Sequence, residues 1–351
     1  MTANSKGTLT HSSMTCAKTC LRMYQFRYVH GVVRQAVDSP LRIGSLVHLG
    51  LEIGKKPEEA EVPDWCDDED AIYKMHCDYE MACGMLQAYF EYWGDGNVEV
   101  IENEKEFKVP IMNPETSGLA RNFGASGKID KIVKTPDGRI CIMEHKTTSE
   151  DLDPEGTYWR RLRMDQQISH YILGARMAGI QVESSVLYDV IRRPQYKPKN
   201  IPVLDEKGEK IVRYDETGER VFKKNGDPRK SAGEGMSLEV RSETPTEFGF
   251  RVYTEMNADP EKYFCRREIP RLDADLTEYQ FELWQQQKLL AECINNGYFY
   301  RNTSACIRYQ KPCQYFDLCT QGIEVEDNIA PLGFEFERPH SELSDTEGGE
   351  L

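Results

Sequence analysis

The 351-residue chain has no apolar run of about 18 residues, the length that a membrane-crossing helix needs. No transmembrane helix and no membrane partner are therefore expected. The opening residues MTANSKGTLT lack the apolar segment of a secretory signal, which predicts an intracellular, cytoplasmic protein. GxxxxGK[ST] occurs nowhere, so the sequence contains no P-loop. Basic residues are also in deficit. The 44 Lys and Arg face 59 Asp and Glu, for a net charge of −15. Taken as an average, that charge argues against a polyanionic partner.

The deficit is local. Residues 58–70 carry eight acids and no base, residues 324–327 three acids, and residues 335–351 six acids against Arg338. These segments hold −16 in all, which leaves the remainder near +1. Bases cluster elsewhere, at Arg160, Arg161 and Arg163, at Arg192 and Arg193, at Lys197 and Lys199, at Lys223 and Lys224, and at Arg266 and Arg267. Each cluster has an ordinary reading as a solvated face. Together they leave room for a groove that tracks phosphates.

At this length the chain forms one large domain or two small ones. Residues 12–30 have a helical pattern, and Pro40 opens a second helix containing LRIGSLVHLGLE. A long amphipathic helix is expected over 71–94, then strands near 98–112 and 127–147, a helix over 158–179 and a strand over 183–191. VLDEKGEKIV and RYDETGERVF are successive near-repeats with Gly in a turn, so 195–245 is expected to be an inserted β-hairpin module or flap. A helix returns at 273–296. From about 324 the acidic composition predicts a disordered tail. The expected division is 1–194 core, 195–245 insertion, 246–323 C-terminal helical region and 324–351 acidic tail.

The stretch GKIDKIVKTPDGRICIMEHKTT, residues 127–148, holds the chemistry. Thr135-Pro136-Asp137-Gly138 fits a type I turn followed by a left-handed Gly. That turn pairs Thr135 with Arg139 and therefore Asp130 with Glu144. Alternation then puts Asp130, Glu144 and Lys146 on one face. One reading is a cross-strand acid pair relieved by Lys, although like charges placed opposite each other are destabilising. The other is a site where two carboxylates bind a hard divalent cation beside an oxyanion-stabilising Lys.

GSLVHLGLE spaces Gly44, His48 and Glu52 on one helical face, and Gln167 and Tyr171 share another, with Gln166 pointing elsewhere. A lone helical His also has an ordinary structural reading. In order and spacing, Gly44-His48-Glu52, Gly127-Asp130, Glu144-Lys146 and Gln167-Tyr171 resemble the PD-(D/E)XK nuclease superfamily in its RecB-like branch. The resemblance spans about residues 12–190 and resumes at the C-terminal cysteines. It departs from many relatives in having Glu144 where they have Asp. It implies an α/β, restriction-endonuclease-like fold with a mixed sheet flanked by helices, and metal-dependent phosphodiester cleavage. By that resemblance Asp130, Glu144, the main-chain carbonyl of His145 and His48 would hold Mg²⁺ or Mn²⁺. Lys146 would position water or stabilise charge, while Gln167 and Tyr171 would support the site or contact the DNA backbone. Glu104 and Glu106 are candidate outer acids.

Eleven Cys in an intracellular chain point to metal or cluster ligation, or to inert core thiols, more than to disulfides. CIRYQKPCQYFDLC contains Cys306, Cys313 and Cys319. Cys20 lies in CLRMYQFRYVHG, whose wording resembles AddB-type and CRISPR-adaptation nucleases that carry one N-terminal and three C-terminal Cys around a [4Fe–4S] cluster. The six residues between Cys306 and Cys313 depart from the two of many relatives. Structural Zn²⁺ is the alternative for such a Cys₄ set, and Cys16 is an alternative to Cys20. The resemblance thus implies an exonuclease acting on DNA ends or single strands in recombination, repair or phage DNA processing. It would lack its own unwinding motor and would work with a helicase or recombination partner. A CRISPR-adaptation nuclease and a non-catalytic DNA-binding protein are the alternatives.

Overall fold

The computed structural model describes residues 7–35, 39–58, 62–63, 66–94, 96, 98–323, 325 and 329–344. Much of the acidic stretches that begin at 58 and 324 lies outside these residues. In chain order the elements are β1 (Gly7–Leu9), α1 (His11–Thr19), α2 (Leu21–Tyr24), β2 (Val32–Arg34), α3 (Ser39–Ile53) and α4 (Glu69–Trp93). Next come β3 (Glu99–Met112), β4 (Leu119–Lys134), β5 (Ile140–Thr148), α5 (Thr157–Leu162), α6 (Gln166–Met177) and β6 (Ser185–Arg192). Then follow β7 (Asn200–Pro202), β8 (Val212–Tyr214), β9 (Met236–Leu238), β10 (Val240–Ser242), α7 (Pro245–Ala258), β11 (Phe264–Pro270) and α8 (Asp273–Asn296).

The chain divides into two compact units that cut across the boundaries expected from sequence. One comprises Met1–Asp38, Trp93–Arg192 and Phe264–Leu351, the other Ser39–Tyr92 and Arg193–Tyr263. The 195–245 excursion therefore belongs with α3 and α4, far from it in sequence, and with α7, which directly follows it. Three corrections follow within the elements. The 158–179 helix is two helices, because Asp165 caps a new one by accepting the Gln167 N–H. The 246–323 region is not all helical, since β11 pairs antiparallel with β6. The 324–351 tail contains a strand, Phe334–Phe336, paired with β2. Phe334 stacks 5.8 Å from Tyr315 in a small core with Phe26 and Val32. A composition window registers the acids there and misses this aromatic anchor.

The first unit is built on a mixed sheet. β3 lines one edge of β4, while β1 and β5 share the other, along its beginning and its end. β5 continues into parallel β6 and then antiparallel β11. α6 and α8 cover β3 and β4. Ile132 and Ile142 join this main core, whereas Val133, Cys141 and Met143 bury against Leu187 in a smaller cluster. Burial of both faces explains why the hairpin sequence does not alternate strictly. The turn forms as expected. Gly138 has φ 85° and donates to the Thr135 carbonyl at 2.8 Å, and the Thr135 N–H reaches the Arg139 carbonyl at 2.9 Å.

In the second unit, each near-repeat turns at a left-handed Gly, Gly208 and Gly218. A third turn at Gly226 brings Phe222 opposite Pro228. KKNGDP is thus a further repeat, although its sequence lacks the flanking apolar pair of the other two.

Candidate active site

The ladder between β4 and β5 ends at Lys131 opposite Met143. The next facing residues are Asp130 and Glu144, where the strands part. Asp130 Oδ2 accepts the His145 N–H at 2.8 Å, so the acid occupies a donor that strand pairing has released. Glu144 is 3% exposed. Its Oε1 accepts from Lys146 Nζ at 2.8 Å and from Gln167 Nε2 at 2.7 Å. Lys146 Nζ also donates to Gln167 Oε1 at 2.5 Å, and Gln167 Nε2 donates to Tyr171 Oη at 3.0 Å. Helical spacing places Gln167 and Tyr171 on the face of α6 that looks at β5. Gln166 turns the other way, to Lys18 and Glu282.

Gly127 is required by a close approach. A Cβ there would meet the Phe107 ring at 2.7 Å and Tyr171 Cε1 at 3.2 Å. The absent side chain lets Tyr171 settle onto β4 and so sets the height of Gln167.

Electrostatics at the site are poised. Burial pushes the Asp130 carboxyl above its ordinary value, and Glu104 adds to this, against the opposing pull of His145 and Lys146. Glu104 falls between Asn103 and Lys105, the partners of Lys131 and Ile129, and so lies opposite Asp130. It pairs with Lys128. Glu106 instead accepts from Ser344 N and Oγ, both at 2.7 Å. Burial is the largest influence on Lys146 and would depress its ammonium, but Glu144, Asp165 and Asp130 together raise the pKa.

Four participants lie outside the four motifs: Asp165, His11, Asp189 and Arg266. Asp165 caps α6 beneath Gln167, contacts His11 Nε2 at 3.6 Å and raises the Lys146 pKa. His11 is pushed down to about 4 by burial, against Asp165. On the opposite face of β5, His145 Nδ1 lies 3.3 Å from Asp189, which is fully buried. Arg266 reaches the same carboxylate at 3.3 Å and stacks 3.9 Å from the Trp93 ring centroid. Asp165 had a legible signal as an N-cap residue. Asp189 had none, because its meaning lies in the β5–β6 register that opposes it to His145. Asp189→Asn is expected to destabilise the protein by about 3–5 kcal/mol, the usual cost of breaking a buried ion pair. Urea unfolding checks this, and an unchanged midpoint would contradict it.

His48 lies half-buried on α3, in the second unit. Among the described residues, no three His, Cys, Asp or Glu side chains stand together as a metal site. The four cysteines of the expected cluster are free thiols that nevertheless gather in one region. Cys20 Sγ accepts from the Asn302 N–H at 3.4 Å, Cys306 Sγ contacts the Asn302 carbonyl at 3.7 Å, and the Cys313 N–H donates to the Cys306 carbonyl at 2.8 Å. Burial raises the Cys313 thiol, with Cys20 and Cys306 adding. Cys319 is likewise raised by burial, with Cys20 and Cys313 adding. Cys16 is pushed up to about 12 by burial and next by Cys20.

Asp130 and Glu144 thus face each other where two strands part, and Glu144 is hydrogen-bonded to a Lys two residues on and to a helical Gln. A family model of the PD-(D/E)XK nuclease superfamily matches residues 8–320, and the chain belongs to that superfamily. The mixed sheet flanked by helices is its restriction-endonuclease-like fold. Metal-dependent nuclease chemistry, usually with Mg²⁺ or Mn²⁺, comes with that membership. No curated protein matches the chain.

Proposed function

We propose that this is a RecB-like DNA exonuclease acting on ends or single strands, in the cytoplasm, during recombination, repair or phage DNA processing. The supporting observation is the hydrogen-bonded group of Glu144, Lys146, Gln167 and Tyr171 beside Asp130. Two carboxylates and a main-chain carbonyl are a hard donor set that suits Mg²⁺ or Mn²⁺. Asp130, Glu144 and the His145 carbonyl would hold the ion, and His48 enters this reading through its motif alone. A bound ion would neutralise phosphate charge and make its water more acidic. Lys146 is placed to meet developing negative charge on the phosphate or to orient the attacking water. Gln167 grips both Glu144 and Lys146, and Tyr171 braces its amide, so their spacing is fixed before substrate arrives. Duplex unwinding would come from a partner, since the sequence has no P-loop.

Labelled linear and closed circular single-stranded DNA, each with Mn²⁺ or EDTA, test this reading. Cleavage of the linear form alone, lost in EDTA, is expected. Cleavage of the circle would make it an endonuclease. No cleavage at all would make it a non-catalytic DNA-binding protein.

The same reading gives Cys20, Cys306, Cys313 and Cys319 a [4Fe–4S] cluster, with structural Zn²⁺ as the alternative metal. Its support is that contacts through Asn302 and the Cys306 main chain bring Cys20, Cys306 and Cys313 into one neighbourhood from both ends of the chain. A clip from residue 20 to residue 319 would remove much chain entropy from the unfolded state. Cys313→Ser is expected to lower the melting temperature and the iron content of anaerobically purified protein. Unchanged metal content and melting would exclude Cys313 as a ligand.

A further inference from the structure

The second unit holds a cleft of about 890 Å³ that the nuclease chemistry does not use. Lys74, Arg193, Lys197 and Lys199 line it, with the rings of Tyr73, Tyr196 and Phe248. Its acids are Asp70 and Asp78. Asp78 is paired with Arg42 at 2.8 Å, and burial raises its pKa against the pull of Ser39, Arg42, Lys74 and Arg193. Among the described residues, no ion pair engages the four cationic side chains of the lining. In a chain of net charge −15, this is a concentration of available positive charge.

The lysines are mounted on a fixed support. Glu243, 3% exposed, forms a two-point pair with Arg251, Nε to Oε1 and Nη2 to Oε2, both at 2.8 Å. Glu243 Oε2 accepts the Lys199 N–H at 3.0 Å, the Glu243 N–H donates to the Lys199 carbonyl at 3.0 Å, and Arg251 Nη2 donates to the Lys197 carbonyl at 3.0 Å. Tyr73 Oη donates to the Glu243 carbonyl at 2.6 Å. The main chain of 197–199 is thus held by a buried ion pair, while the Lys197 and Lys199 side chains stay exposed. Tyr196 is held as well. Its hydroxyl meets that of Tyr263 at 3.2 Å, and Arg251 lies 5.6 Å from its ring centroid.

We infer that this cleft is a subsite for an unpaired stretch of the DNA strand. Phosphates would lie against Lys197 and Lys199, and a base against Tyr196. Fixed cations beside aromatic faces are the chemistry of single-strand binding. The volume falls within that of pockets enclosing one small ligand, ~300–1,000 Å³, which admits a nucleotide or two but no duplex. The inference rests on the nuclease reading for the identity of the strand, but its own observations lie in the second unit.

The test is fluorescence anisotropy of a labelled twelve-nucleotide oligothymidylate with the full chain in EDTA, across a salt titration. The double variant Lys197→Gln/Lys199→Gln is expected to flatten the log–log salt slope by about 1.4, at ~0.7 per lost phosphate contact. Tyr196→Leu is expected to weaken binding about tenfold with the slope unchanged, because stacking releases no counterion. Melting temperatures confirm that both variants are folded. Wild-type affinity and slope in both variants would overturn the inference. So would displacement of the oligomer by an equal concentration of thymidine monophosphate, which would mark a free-nucleotide pocket. Cleavage by wild type in Mn²⁺ is measured alongside. Binding by this cleft without cleavage would overturn the nuclease reading alone, and cleavage with unaltered variant binding would overturn the subsite alone.

Discussion

Glu144→Gln and Asp130→Asn are each expected to abolish metal-dependent cleavage while leaving DNA binding largely intact. Each substitution keeps the shape and removes one carboxylate charge from the proposed metal site. For Asp130 the expectation extends to stability. Burial raises its folded-state pKa. Such a carboxyl favours the folded state fully below its unfolded pKa of ~3.9, and that contribution is lost as pH rises through the folded value. At neutral pH in EDTA the buried acid therefore costs stability, and Asp130→Asn should melt above wild type. The Asn carbonyl still accepts the His145 N–H. Mn²⁺ should reverse the order by raising the melting of wild type alone, since a ligand stabilises only the state that binds it. Single-turnover cleavage and thermal melting, with and without Mn²⁺, check both halves. A variant that cuts at the wild-type rate would place the chemistry elsewhere.

Lys146→Met is expected to slow cleavage by roughly 10²–10³, the cost of removing one preorganised donor to developing charge. Lys146 contacts Glu144 and Gln167 in the resting protein, so a role as simple counter-charge also accounts for its position. The two roles part under metal titration. A counter-charge becomes dispensable once the cation fills the site, and the variant would then regain activity at saturating Mn²⁺. A transition-state contact is not restored by metal. End-labelled DNA cut in single turnover across a Mn²⁺ series decides between them. A rate within a few-fold of wild type at saturation would reduce Lys146 to a structural charge.

The hairpin was legible because its causes are local. Pro136 and Gly138 fix the turn, the turn fixes the register, and period-two alternation then assigns Asp130, Glu144 and Lys146 to one face. Gln167 and Tyr171 were legible as a helical pair, although their helix begins only at Gln166, where Asp165 caps it. The role of Gly127 needed Phe107 and Tyr171, which are distant in sequence and meet only in the fold.

By itself the sequence determined the turn, the strand faces, the helix periods and the order of the four motifs, since each depends on residues a few positions apart. It also determined membership of the superfamily. Tertiary structure alone decided which acids stand behind the site. Asp189 and Arg266 become partners of His145 only because β6 lies parallel beside β5 and β11 closes the edge. It alone joined Ser39–Tyr92 to Arg193–Tyr263, and within the second of these segments it set Lys197 and Lys199 on a buried Glu243–Arg251 pair. The physical reason is the same in each case. Burial and ion pairing depend on which separate segments the chain brings together, and no local pattern encodes that.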